Sequence, residues 1–203
     1  INRATYERIS NTDFRKKMWK APSGSLLEGQ TPFINKEFGE SLPVYASVKF
    51  RPNEGNMDVS NVGNASAFPV MRVEEMYFIE AEAAAHLDAA EGKLLLETFM
   101  KSYRDPQYVC SNSDVVEEAV FQKRVEFWGE GLTFFDVKRL NMSVTRGYPG
   151  TNFFDTARLN TNGRPAWMNM SVVRQESDNN AALVGFGNPD PTDFYIPWVE
   201  TKE

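Results

Sequence analysis

Only one cysteine, Cys110, and one histidine, His86, stand among the 203 residues. A lone cysteine closes no internal disulfide and builds no multi-cysteine zinc site, so Cys110 is expected to be a small buried residue. A lone histidine forms no His-x-x-x-His zinc pair. There is no Gly-x-Ser-x-Gly elbow, and His86, at the end of an alanine-rich helix where a cation suits the dipole, leaves no histidine for a catalytic triad. Gly185-Phe-Gly187 is too short for a dinucleotide fingerprint. The Asp and Asn residues scattered between Asp155 and Asp193 lack calcium-loop spacing, so no cofactor is expected and calcium is neither called for nor excluded. Basic charge is in deficit: 22 Lys and Arg against 28 Asp and Glu leave a net charge of −6, which argues against a nucleic-acid partner. No apolar run reaches the ~18 residues needed to cross a bilayer. The chain opens on Ile1 with no charged-then-apolar leader, and it reads as starting inside a longer protein. Any signal or lipid-attachment cysteine would then lie upstream.

What remains is ordinary in bulk and rich in rings. Hydrophobic residues make up 41% and charged residues 25%, as in a globular domain able to bury a core. Fifteen Phe, seven Tyr and four Trp supply rings for that core, or, where exposed, platforms for sugars.

Three textures follow one another. Residues 1–69 are broken by Pro22, Pro32, Pro43, Pro52 and Pro69 and read as loops and short strands, among them residues 44–50 (VYASVKF), with one helical turn at residues 12–19. Residues 70–140 are helical. Residues 72–87 (RVEEMYFIEAEAAAHL) lack Pro and Gly, and Glu74 and Glu75 suit a first turn. Val73, Met76, Tyr77, Ala81, Ala84 and Leu87 form the expected apolar face. A turn at Gly92 leads to a helix over residues 93–104 with Leu95, Leu96, Phe99, Met100 and Tyr103 on its stripe, stopped by Pro106. Asp114 with Glu117 three residues on reads as a capping box for a third helix, whose apolar face is Val116, Val120, Phe121, Val125 and Trp128 and which Gly129 and Gly131 end. A fourth helix covers residues 134–140. The expected fold class is mainly α, built of tetratricopeptide-like helix pairs with long irregular loops and a few short strands. Residues 141–203 return to loops that wrap the helices. The apolar end, residues 194–200 (FYIPWVE), is expected to dock.

The densest motif is residues 122–139 (QKRVEFWGEGLTFFDVKR). Arg124, Glu126, Glu130, Asp136 and Arg139 are read as a partly buried ion network, with arginines paired to carboxylates and with Phe134 and Phe135 anchoring the turn. The competing reading makes Glu126 and Glu130 the carboxylate pair of a glycoside hydrolase. The network is preferred, and no enzymatic activity is expected. Trp19 and Trp167 lie in polar loop-rich stretches. Each could stack on a sugar or cap the core.

These residues resemble a known family. Residues 77–83 (YFIEAEA) resemble the alanine/glutamate helix of the SusD/RagB family. Residues 124–139 resemble its signature Glu-Arg-Arg-x-Glu-Leu-x-x-Glu-Gly-x-Arg-x-x-Asp-Leu-x-Arg-Trp. Tyr6 to Asp13 with Arg15 and Trp19, and the closing Tyr195-Ile-Pro197 with Glu200, resemble segments on either side. The matches come in family order, and the chain departs from the pattern at Gln122, Leu132, Thr133 and Leu140. The resemblance implies the C-terminal part of a non-catalytic lipoprotein on the outer face of the outer membrane in Bacteroidetes-type bacteria. It would be held by an upstream lipid anchor and would pass an oligosaccharide, less often a peptide, to a TonB-dependent SusC-like transporter. A helical-repeat scaffold for another protein is the remaining alternative.

Overall fold

The computed structural model describes residues 1–33, 36–50, 67, 69–165, 168, 172–183 and 195–197. Among these the helices are α1 (Arg3–Arg8), α2 (Lys36–Ser41), α3 (Glu74–Leu87), α4 (Ala89–Tyr103), α5 (Val115–Glu126), α6 (Leu132–Arg139) and α7 (Arg174–Asn179). The strands are β1 (Leu159–Thr161) and β2 (Tyr195–Pro197). The fold is mainly α, as the periodicity predicts. The chain forms two compact units, Ile1–Gly131 and Leu132–Glu203, whereas composition changes at residues 69 and 140.

Capping chemistry sets the helix ends of the first unit. The Asp114 carboxylate accepts from the Glu117 N–H and opens α5. Asp88 both ends α3 and caps α4, its side chain accepting from Ala90 N–H. The turn expected at Gly92 therefore sits four residues earlier, and Gly92 lies inside α4. It is there for packing: a Cβ at Gly92 would come within 2.5 Å of Ala85 on α3, so glycine lets the two helices close on each other. The helical turn expected at residues 12–19 is a 3₁₀ turn, Phe14–Met18, whose cap Asp13 accepts from Arg15 N–H. Residues 44–50 form no named strand; they contribute a single antiparallel bridge, Trp19 to Ser47.

Two ring-rich clusters fill this unit. Phe78 of α3 packs edge-on against Phe99 of α4 at 5.0 Å and against Phe127 at 6.0 Å. The second cluster joins Tyr6, Ile9, Trp19, Ala21 and Leu27 to Phe121 and Val125 of α5. The predicted stripe of α4 is buried at Leu96, Phe99 and Met100, and that of α5 at Val120, Phe121 and Val125. Of the predicted face of α3, only Ala81 is fully buried. Phe78, Ala81 and Glu82 point inward, while Val73, Met76 and Leu87 are exposed. Apolar residues occupy both sides of α3, so spacing alone did not identify the inner face.

In the second unit, β1 and β2 pair antiparallel, Leu159 opposite Pro197 and Thr161 opposite Tyr195, so residues 195–197 of the apolar end are docked there, while 194 and 198–200 lie outside the described residues. Phe134 and Phe135 of α6 do not anchor a buried turn; both are exposed and meet edge-on at 5.6 Å. Cys110 is buried and free. No helix among the described residues is long and apolar enough to cross a membrane.

Candidate functional site

Helix α5 carries Glu118, Gln122 and Glu126 at four-residue spacing, and Glu130 follows four residues on, past the helix end. Residues so spaced share one helical face, and here that face is buried at Glu118, Gln122 and Glu126. Long-range cations meet it. Arg104 donates to Glu126 twice, Nε to Oε2 at 2.7 Å and Nη2 to Oε1 at 2.9 Å. Arg72 donates Nη1 to Glu126 Oε1 at 3.0 Å, and Nε and Nη2 to Glu130 at 3.0 and 2.9 Å. Arg15 reaches Glu126 Oε2 at 3.2 Å and is itself held by Asp13 and by Gln122. Gln122 in turn donates to Glu118, which also accepts from Tyr108 Oη and from Arg8.

Two of the cations also finish the helix. Lys49 Nζ donates to the carbonyls of Glu126 and Trp128 at 2.7 and 2.9 Å and to Glu130 Oε1 at 2.5 Å. Arg72 Nη2 donates to the Glu126 carbonyl at 3.2 Å. The last carbonyls of a helix lack internal partners and carry partial negative charge, so cations belong there. Gly129 makes the turn that follows, at φ +79, and a Cβ there would meet the Phe50 ring at 2.5 Å.

Burial alone would raise the pKa of Glu126, but hydrogen bonds from Arg104 and Arg72 and the charge of Arg15 override it and hold the carboxyl down at about 2. The same contest, with Arg72 and Lys49 as partners, lowers Glu130. Burial pushes the Lys49 ammonium downward against the pull of Glu130. A glycosidase proton donor needs a raised pKa, and neither carboxyl has one.

The depressed Glu126 predicts an acid window. Its folded-state pKa lies below its ordinary 4.5, so it adds stability above that pH and loses it as pH falls toward about 2. The contribution is about 3 kcal/mol at neutral pH. Urea midpoints measured from neutral pH down through this window should fall steeply in the wild type and less steeply in Glu126→Gln.

Of the five residues expected in one network, Glu126 and Glu130 are joined. Arg124 stands apart: two positions from Glu126 it points around the other side of α5, and the charges acting on it are those of Arg8 and Glu117. Asp136 and Arg139 lie on α6 in the second unit, where Arg139 Nε donates to Asp136 Oδ1 at 2.9 Å. Arg15, Lys49, Arg72 and Arg104 were not named from the sequence as its partners. The four-residue ladder from Glu118 to Glu130 was the readable signal that charges would gather there.

A cleft of about 380 Å³ borders this cluster, with Phe14, Trp19, Arg72 and Arg104 among its walls. Its cations already donate to protein acceptors. Trp19 is 2% exposed and packs edge-on to Trp128 at 6.0 Å, so it offers no free ring face to a sugar and belongs to the core. Trp167 lies outside the described residues. A second cleft, about 590 Å³, is bordered by Lys20, Ser23, Glu28, Thr31 and Phe33. Among the described residues no three His, Cys, Asp or Glu side chains gather as metal ligands would.

A helical hairpin, α3–α4, is tied to a third helix by a buried arginine–carboxylate cluster. A family model described as the SusD family matches residues 10–197, and the chain belongs to that family. Among solved structures, a SusD-like carbohydrate binding protein from Bacteroides vulgatus ATCC 8482 shares the fold, with a TM-score of 0.60 and 22% identity. The match covers 95% of this chain and 42% of that one, so the chain spans well under half of its relative's length. No curated protein sequence matches.

Proposed function

We propose that this chain is part of a non-catalytic, cell-surface glycan-binding protein that hands oligosaccharide to a TonB-dependent SusC-like transporter in the outer membrane. Family membership over residues 10–197 carries this reading, and the likeness to a protein described as carbohydrate binding supports it. The electrostatics agree with it: Glu126 and Glu130 are committed to arginines and lysine and are held ionised rather than poised to give a proton. The attachment is a lipid anchor upstream of Ile1, and nucleic acid is not a partner.

Binding rests on aromatic stacking and on polar side chains that meet sugar hydroxyls. Trp167 is the stacking residue of this reading. Calorimetry of the protein against a panel of oligosaccharides and against peptide pools tests the reading. The expected result is binding to a glycan that is recovered uncut, weakened about tenfold or more by Trp167→Ala. Hydrolysis products would overturn the non-catalytic assignment, and binding to peptides alone would move the cargo to the second class. Co-purification with a transporter barrel tests the delivery step separately.

A further inference from the structure

The cleft of about 590 Å³ in the first unit is walled by the loop that follows Trp19, by α2 and by Val44, and it shares no lining residue with the cleft beside Glu126. Its volume is that of a small-molecule site, about 300–1,000 Å³. The protein itself fixes its polar groups and leaves them capacity to spare. The Glu28 carboxylate accepts from Gly24 N–H at 2.7 Å and from Ser23 Oγ at 2.8 Å. Those two bonds hold its carboxyl below the usual range, so at neutral pH it only accepts. The side chain is exposed, and an ionised carboxylate has further acceptor positions beyond these. Lys20 Nζ donates to the carbonyls of Glu40 and Leu42, both at 2.6 Å, which ties the end of α2 to the chain next to Trp19. The ammonium keeps a donor in reserve. Phe33 supplies a half-buried ring. It packs on Gly39 of α2, where a Cβ would come within 2.2 Å of the ring, so glycine lets ring and helix close on each other.

Charge selects the ligand. The lining carries two lysines, Lys20 and Lys36, against two glutamates, Glu28 and Glu40. An anion would meet the glutamates, and a metal ion would meet the lysines. A neutral molecule rich in hydroxyls meets neither penalty. Hydroxyls donate and accept, so one sugar unit can give protons to Glu28 and take one from Lys20 while its C–H face lies on the Phe33 ring.

We propose that this cleft is a glycan subsite that takes a neutral sugar unit through Glu28, Lys20 and Phe33, independently of stacking at Trp167. It rests on the glycan-binding reading and adds to it a second place of contact and a preference for uncharged sugars.

The probes are cellobiose, xylobiose and mannobiose, which are neutral, and digalacturonic acid, which is not. They are titrated into the isotope-labelled protein and followed by NMR. At least one neutral disaccharide should shift the Gly24, Gly29 and Thr31 amides, in the wild type and in Trp167→Ala alike. Digalacturonic acid should act on the same amides about tenfold more weakly or not at all, and Glu28→Gln and Phe33→Leu should each weaken the neutral sugar about tenfold. Glu28 is exposed and leucine keeps an apolar contact with Gly39, and circular dichroism checks that both variants fold. Should Phe33→Leu fail to fold, Glu28→Gln still decides. A disaccharide that binds and leaves these amides unmoved overturns the subsite while the glycan reading stands. So does one that binds Glu28→Gln as tightly as the wild type, one whose shifts vanish in Trp167→Ala, or tighter binding of digalacturonic acid. If none of the four binds, the subsite falls, and the calorimetric oligosaccharide panel judges the glycan reading by itself.

Discussion

Glu126→Ala is expected to cost about 3–5 kcal/mol of folding stability, the largest loss of any single charged substitution among the described residues. The size follows from what stays behind. Arg15, Arg72 and Arg104 all donate to this one carboxylate, which is buried, and Arg15 and Arg104 are largely buried with it. Removing the carboxylate leaves three guanidinium groups facing one another with Asp13, Glu74 and Glu130 as their remaining acids. Glu126→Gln keeps an acceptor oxygen and should lose less. Glu7→Ala, which breaks the exposed Arg3–Glu7 pair, should stay within about 0.5 kcal/mol. Urea unfolding monitored by helix signal measures all three. A Glu126→Ala protein as stable as the wild type would show the cluster to be incidental and reopen a catalytic role for the pair.

The cluster also shows why half of the site was readable and half was not. The four-residue spacing of Glu126 and Glu130 is local, and local spacing translates directly into a shared helix face. Their partners are not local: Arg15 lies 111 residues from Glu126, Lys49 lies 81 from Glu130, and Arg72 lies 54 from Glu126. No pattern within one element could choose these cations over Arg124, which is nearest in sequence and turned away by helical geometry.

The same rule explains the fold. The long helices α3 and α5 announce themselves by runs free of Pro and Gly, and α5 also by its Asp114 cap. Helices α1, α2 and α7 are six residues each, too short to show a period, and none was predicted. Gly92 was read as a turn because glycine usually breaks helices, yet its role is the tight approach to Ala85, which only the packed pair reveals. Val73, Met76 and Leu87 were placed on the inner face because they have the right period. Period gives a stripe, but on a helix apolar on both sides it does not say which stripe faces the core.

Trp19→Ala is expected to destabilise the protein by about 3–5 kcal/mol, as emptying a filled core site does. The ring sits among Tyr6, Ile9, Leu27, Phe121 and Val125 and meets Trp128 edge-on, so the truncation opens a cavity where the loop segments of the first unit meet α5. Trp19→Phe separates packing from chemistry. Among the described residues the indole Nε1 is buried without a hydrogen-bond partner, so the native residue carries the penalty of an unmet donor there. Phenylalanine removes that donor and keeps most of the ring, and its cost should be less than half that of alanine. The folded Trp19→Phe protein should bind oligosaccharide with unchanged affinity, because a ring 2% exposed has no face to give. If instead affinity falls in Trp19→Phe while the urea midpoint holds, Trp19 must leave the core to meet the sugar, and its place as the link between the N-terminal loops and α5 would have to be given up.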